Sequence, residues 1–306
     1  MEPVPDAPPP PLRPKGNRSR APLYALGAIV TLALVETSVA LIAPLRAPRE
    51  SDWKAAEREV RAGFQPGDLI VAAPAWADPV MRMHLGDLIP IATAGRMDAA
   101  RFSRVWEISQ RGARAREAVA GGGHVAIERR HGALTVRRIE RRGAAVSYDF
   151  LAHWQDARVS RADANGASSG CPMQGDRFQC PQIGFNYVKR QTVEVDTTLR
   201  QALLVQPVER SRVVVEFPAV VLGKELAVAT GMSNVWMRKA ARGAVDLTIA
   251  IDGRTALRVT TFNESGWLLS HVDTTARAGQ TATVRFEVTS PAPYARHFAF
   301  AAEARS

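Results

Sequence analysis

The sequence predicts an α+β protein in three parts: one N-terminal transmembrane helix, a small α/β lobe and an antiparallel β-sandwich of jelly-roll type. Three observations predict it. A 23-residue apolar run, Pro22 to Pro44, is long enough to cross a bilayer as a helix. Residues 49–142 alternate helical spacing with short apolar runs bounded by breakers. After Ala144 the period of the apolar residues settles at two. The expected segments are a tail at 1–21, an anchor at 22–45, the lobe at 49–142 and the sandwich at 143–306.

The tail is rich in proline, with four in a row at Pro8 to Pro11, and has no means to build a core. A disordered or polyproline-like cytoplasmic tail is expected. It carries Arg13, Lys15, Arg18 and Arg20 against Glu2 and Asp6, and basic flanks tend to stay in the cytoplasm. The expected location is therefore a bacterial inner membrane, single-pass, N-terminus inside and the bulk of the chain periplasmic. A cleaved signal peptide is the rival, because Ser38-Val39-Ala40 offers a small-residue cleavage site. Either way the bulk is exported. Glu36 falls inside the apolar run, where a carboxylate is costly. It pairs with a partner helix, sits protonated, or marks a signal-peptide boundary.

From Asp52, the spacing of Trp53, Ala56, Val60 and Phe64 predicts a helix with one buried face, capped by Ser51 or Asp52. Pro66-Gly67 turns the chain. Residues 68–74 read as a buried strand, 76–85 as a helix and 105–109 as a second strand. Helix, strand, helix, strand suggests an α/β layer with parallel strands. The run DWKAAEREVRAGFQPGDLIVAAPAWADPV, then RFSRVWEIS and GALTVRRIERRG, resembles the exported C-terminal region of bacterial multi-spanning membrane glycosyltransferases. These are the lipid-sugar-using enzymes related to protein mannosyltransferases and aminoarabinose transferases. Their catalytic acid sits on a loop among many membrane helices, which this chain does not match. The resemblance therefore implies an accessory lobe beside such an enzyme, with no catalytic residue carried over.

In the last part, Ala282, Val284, Phe286 and Val288 alternate with polar residues, as do Val245, Leu247, Ile249 and Ile251. Such alternation predicts a sheet with one wet face. Asp252-Gly253 is a hairpin signal leading back through Leu257 to Phe262. Further strands are expected at 203–205, 213–217, 226–229, 267–272 and 297–302. The stretches VDLTIAIDGRTAL, SGWLLSHVDTT and AGQTATVRFEVTS resemble galactose-binding-like and other carbohydrate-binding sandwiches over about residues 200–303. In that layout Gly266-Trp267 and Val272-Asp273 match a sugar-module pattern.

A sugar site needs exposed aromatic faces beside amides and charged groups. The candidates are Trp236 with Asn234 and Arg238, Tyr187 with Asn186, and Trp154. The competing reading of these aromatics, and of Trp267, is that they fill or cover the core.

Cys171 and Cys180 are the only cysteines, in a short polar loop. They form a disulfide in an oxidising compartment, or remain two free thiols in a loop. No His or second Cys pair sits at ligand spacing, so no metal and no cofactor are expected. Asp163, Asn165 and Asp176 could offer oxygens to calcium but fit no EF-hand spacing.

Net charge is +10. The arginines between Arg96 and Arg142 are interleaved with acids, and no aromatic-interleaved nucleic-acid motif accompanies them, so nucleic acid is not an expected partner. Ser270, His271 and Asp273 supply triad residue types, but neighbours on one strand face opposite sides. Asp149 and His153 are four apart and could pair on a helix.

The expected function is non-catalytic: a membrane-anchored binding protein for glycan or lipid-linked sugar in the envelope. Its expected partners are the lipid bilayer, that sugar and a multi-spanning glycosyltransferase. A structural subunit of an envelope complex, docked through Glu36, and an exported hydrolase are the alternatives.

Overall fold

The computed structural model describes residues 21–42, 47–90, 99–181, 186–196, 198–208, 210–233, 243–291 and 296–306. The expected tail and the end of the expected anchor lie outside the described residues. The chain divides into two compact units, 1–47 and 48–306.

The first unit holds helix α1, Ala21–Ile42. Its apolar side chains are exposed all round, Tyr24, Leu26, Leu34 and Leu41 among them. A helix apolar on every side has no single seam to bury against a protein core. Its hydroxyls turn inward instead. Thr31, Thr37 and Ser38 each donate to the carbonyl four residues back, at 2.9, 2.8 and 2.7 Å. That hides them from an apolar solvent. At ~1.5 Å per residue the helix is about 33 Å long, against about 30 Å of bilayer hydrocarbon. It is long and apolar enough to cross a membrane.

The second unit opens with α2, Glu50–Gly63, which buries Trp53, Ala56 and Val60 at the spacing the sequence announces. Asp52, not Ser51, serves its start. The carboxylate accepts the Arg49 N–H at 3.1 Å and the Ala133 N–H at 3.2 Å. Those two donors hold its carboxyl below the ordinary carboxylate range. Strand β1, Leu69–Ala73, is buried throughout. A short turn at Ala75–Ala77 leads into α3, Asp78–Leu85. Then come β2 at Arg104–Gln110, the one-turn α4 at Arg116–Val119, β3 at His124–His131 and β4 at Leu134–Glu140.

The sheet runs β1-β2-β4-β3. The expected parallel pairing holds for β1 and β2. Two further strands not named from the sequence, β3 and β4, join antiparallel. Only Gly132 and Ala133 separate β3 from β4, and a two-residue link closes a hairpin, not a crossover. One face of this sheet packs Ile70, Trp106, Ile108 and Val136 against α2 and α3. The other packs Leu69, Val71, Val105 and Ile139 under Phe102, Ala115 and Ala118. Glu107 points to this second face with no exposure. Its carboxylate is held by Arg114 at 2.9 Å, Arg137 at 3.0 Å and the Ala115 N–H at 2.6 Å.

The rest is a sandwich of two antiparallel sheets. Its strands begin with β5 Val146–Asp149, β6 Arg158–Asp163, β7 Ser168–Gly170, β8 Met173–Gln174 and β9 Arg177–Gln179. Then follow β10 Tyr187–Val195, β11 Thr198–Val205, β12 Ser211–Val221, β13 Glu225–Met232 and β14 Val245–Ile251. Last come β15 Arg254–Thr261, β16 Leu268–Asp273, β17 Thr281–Thr289 and β18 Phe298–Arg305. One sheet runs β16-β13-β18-β11-β10-β9-β8, with β5 pairing to β18; the other runs β15-β14-β17-β12-β6-β7. Alternate residues meet between them, and Phe150, Phe217 and Phe286 pack edge to face at 4.9 to 6.0 Å. Asp252 and Gly253 both take positive φ, 48° and 78°, as a tight hairpin turn requires.

Cys171 and Cys180 are joined in a disulfide. Cys171 follows β7 in one sheet and Cys180 follows β9 in the other. The Cys171 N–H bonds to the Val159 carbonyl at 2.8 Å and the Cys180 N–H to the Asn186 carbonyl at 2.9 Å. The short sequence loop therefore closes one edge of the sandwich covalently.

Lobe and sandwich meet at the C-terminal end of β18. Arg101 pairs with Glu303. The Ala144 N–H bonds to the Ala100 carbonyl at 2.9 Å.

Candidate functional site

Strand register gathers four sheet-to-sheet crossovers at one end of the sandwich. They are 206–210 (β11 to β12), 233–244 (β13 to β14), 262–267 (β15 to β16) and 290–297 (β17 to β18). Pairings of Met232 with Phe298, Val245 with Thr261 and Val205 with Phe298 put their feet side by side. The lobe joins β18 at its opposite end. With ~3.4 Å of rise per residue, the eight residues of β18 separate the two ends by about 25 Å.

Polar side chains tie the crossovers together. Arg296, 2 % exposed, donates to the Asn263 carboxamide oxygen at 2.8 Å. Gln206 meets His297 at 3.5 Å, and the Ser233 N–H bonds to the His297 carbonyl at 3.0 Å. The Thr261 hydroxyl donates to Thr230 at 3.0 Å beneath them. Burial lowers the His297 imidazole below its ordinary value of 6.5, so it is neutral at pH 7. Next to this network Phe262 stands 56 % exposed. It is held by its N–H to the Ser265 hydroxyl at 3.1 Å and its carbonyl from the Ser265 N–H at 3.2 Å. An open aromatic face beside a fixed carboxamide can stack on an apolar ring face and read hydroxyls at its rim.

The sequence candidates fall differently. Trp236, Asn234 and Arg238 lie outside the described residues; the segment holding them begins and ends at this same crossover end. Tyr187 opens β10 beside the 206–210 crossover, since Val188 pairs with Val205. Its half-buried ring carries the Arg177 guanidinium at 5.1 Å. Trp154 and Asn186 are corrected. Trp154 is 9 % exposed and packs edge to face on Phe178 at 5.7 Å, inside the core beside both cysteines. Asn186 is 1 % exposed, and both polar atoms of its carboxamide are buried without a hydrogen-bond partner. Trp154 shares one buried cluster with both cysteines, and the Asn186 carbonyl accepts the Cys180 N–H at 2.9 Å.

Trp267 is committed to structure. Its indole N–H donates to the Thr198 carbonyl at 3.1 Å and Arg200 lies over its ring at 5.8 Å. It closes a small outer core of Val193, Val195, Ala202, Leu204, Ala299 and Ala301. There β10 and β11 run past the pairing with β18, which stops at Leu203. A side chain at Gly231 would lie 2.9 Å from this indole.

The other chemical candidates are used locally. Asp149 caps the Leu151 N–H at 2.9 Å, and His153 pairs with Asp156 at 3.0 Å rather than with Asp149. Asp163 binds the Asn165 and Ala167 N–H groups of its own turn, and Asp176 pairs with Lys189. His271 pairs with Glu225 at 3.2 Å. Among the described residues no group of three or more His, Cys, Asp or Glu could hold a metal ion.

Phe262, Asn263 and Arg296 were legible only weakly. Phe262 reads as the last residue of a strand, and its exposure follows from the crossover that starts there.

No family model matches the chain, and no curated protein does. The transferase resemblance of residues 49–142 finds no counterpart there. The chain is similar to the solved CBM51-2 and INT domains of Clostridium perfringens ZmpB in complex with GlcNAc, at 13 % identity and a TM-score of 0.32, over 49 % of this chain and 37 % of that one. It is also similar to the CBM51 of Clostridium perfringens GH95 in complex with methyl-galactose, at 10 % identity and a TM-score of 0.29, over 54 % of this chain and 94 % of that one. A third similar structure is the CBM35 of Paenibacillus barcinonensis, at 10 % identity and a TM-score of 0.24, over 39 % of this chain and 86 % of that one. The sugars are those of the neighbours.

Proposed function

We propose that this chain is a bilayer-anchored, exported binding protein that recognises glycan, free or lipid-linked, without catalysis. The crossover end of the sandwich is its binding face. One observation carries the reading: Phe262 stands 56 % exposed at the crossover end, and the carboxamide of the next residue, Asn263, is fixed by Arg296. The anchor side of the proposal rests on α1, with its lipid-compatible surface, and on a disulfide that persists in an oxidising compartment.

Calorimetric titration of the full chain in detergent with soluble envelope oligosaccharides tests it. Binding is expected, weakened about tenfold in Phe262→Ala, the scale of one lost stacking contact of roughly 1.4 kcal/mol. Trp236→Ala is expected to weaken it similarly, with thermal unfolding unchanged in both. Absence of binding to every oligosaccharide by the folded protein overturns the reading.

A specific observation also favours a protein partner in the membrane. Glu36 is an exposed carboxyl on a helix that is otherwise apolar there. Docking on a multi-spanning glycosyltransferase or another envelope complex through Glu36 predicts that Glu36→Leu reduces co-purification of that partner. Unchanged co-purification removes this second reading.

A further inference from the structure

The lobe carries an apolar stripe on its surface that the binding face does not use. Trp76 is 65 % exposed, Val80 39 % and Met83 82 %. Their spacing of four and three puts them on one side of the turn and helix α3. The opposite side, Ala77, Met81 and Leu85, is buried in the lobe. The core is therefore already served, and the outer stripe is additional. A Trp–Val–Met row on a helix surface is the composition found where protein meets the bilayer interface.

Two further observations say what covers it. The first is the length of the tether. Helix α1 ends at Ile42 and α2 begins at Glu50. Eight peptide steps reach roughly 28 Å even when fully extended. If α1 spans the bilayer, the start of the lobe is confined to the membrane surface. The second is where the tether attaches. Glu50 lies 3.7 Å from the His84 ring, which also stacks on Trp53 at 5.8 Å. His84 directly follows Met83. The stripe thus starts beside the point where the chain arrives from the membrane. Charges around it are paired within the lobe. Arg82 binds Asp78 at 2.7 Å, Lys54 binds Glu50 at 3.5 Å and Arg61 binds Asp87 at 2.8 Å. Pairing lowers the cost of bringing this face up to headgroups.

We propose that Trp76, Val80 and Met83 insert into the lipid interface, so that the lobe lies on the bilayer as a second contact besides α1. The proposal rests on the anchor reading of α1 and is independent of the ligand. It fixes the orientation of the lobe on the membrane surface.

The test uses the full chain in vesicles of phosphatidylethanolamine and phosphatidylglycerol, with a nitroxide at one introduced cysteine per sample. The native cysteines are disulfide-bonded and buried, so they do not compete for label. The positions are Met83→Cys, Val30→Cys inside α1 and Val119→Cys. Val119 is 59 % exposed on α4, over the opposite face of the lobe sheet. The readout is collision with oxygen against collision with a water-soluble nickel complex. The expected result is lipid-like accessibility at 83 and 30 and water-like accessibility at 119. Lipid at 30 with water at 83 overturns the stripe and leaves the anchor standing. Water at 30 overturns the anchor and the stripe with it. Water at 83 in vesicles but shielding in native membranes overturns lipid contact in favour of a protein partner.

Discussion

Glu107 shows how one side chain sets the stability of the lobe. It has no exposure, and its charge is met by Arg114, Arg137 and a backbone N–H. Removing one partner of a buried ion pair leaves the other uncompensated. Glu107→Ala is expected to destabilise the lobe by about 3 kcal/mol, read as a lower urea midpoint; an unchanged midpoint refutes the account. His297 acts at the other end of the molecule. Its folded-state pKa lies below the unfolded value of 6.5, so the unfolded chain takes up the proton first as pH falls. Above 6.5 both states are neutral and the residue is without effect on stability. As pH falls through 6.5 the fold loses stability, until the native imidazole protonates too. The gap in unfolding midpoint between wild type and His297→Gln is therefore expected to shift against the wild type below that pH. A pH-independent gap would show that burial is not what holds the ring neutral.

At the scale of elements, the disulfide joins the two sheets at one edge of the sandwich. Closing a loop of this size contributes about 2–3 kcal/mol through the unfolded chain. The folded-state consequence is local: β8 and β9 lose their tie, and Trp154 and Asn186 lose a fixed neighbour. The Cys171→Ser, Cys180→Ser double variant is expected to unfold earlier by that amount, with faster amide exchange in β8, β9 and the start of β10. Uniform acceleration across both sheets would contradict the local picture. The same elements show what was legible beforehand. Clean alternation in 245–251 and 281–289 announced β14 and β17, because both lie in the middle of a sheet with one wet face. Strand β6 hid, since Arg158–Asp163 buries only Val159 and Ala162. Strand β10 hid for another reason. Its apolar residues switch faces, Val188 toward the main core and Val193 and Val195 toward the small outer one. Trp267 looked like a sugar-module residue because its role depends on Gly231 and Thr198, distant in sequence. Phe262 went unnoticed because exposure at a strand end is decided by the crossover that follows.

At the scale of residues 48–306, the two ends of β18 keep the two proposed surfaces apart. The lobe, with its stripe beside the tether, occupies one end, and the loop bundle with Phe262 occupies the other, about 25 Å away by strand rise. The proposed reading places the sandwich on the oxidising side, where the buried Cys171–Cys180 disulfide that helps hold the sheets together persists. Protease added to intact spheroplasts is therefore expected to cut beyond residue 48 while sparing α1. Thiol reagents are expected to modify Cys171 and Cys180 only after reduction and unfolding. Protection of the chain beyond residue 48 would place the sandwich in the reducing cytoplasm. The disulfide, the outward binding face and the direction of the anchor would then fall together, because each depends on the same side of the membrane.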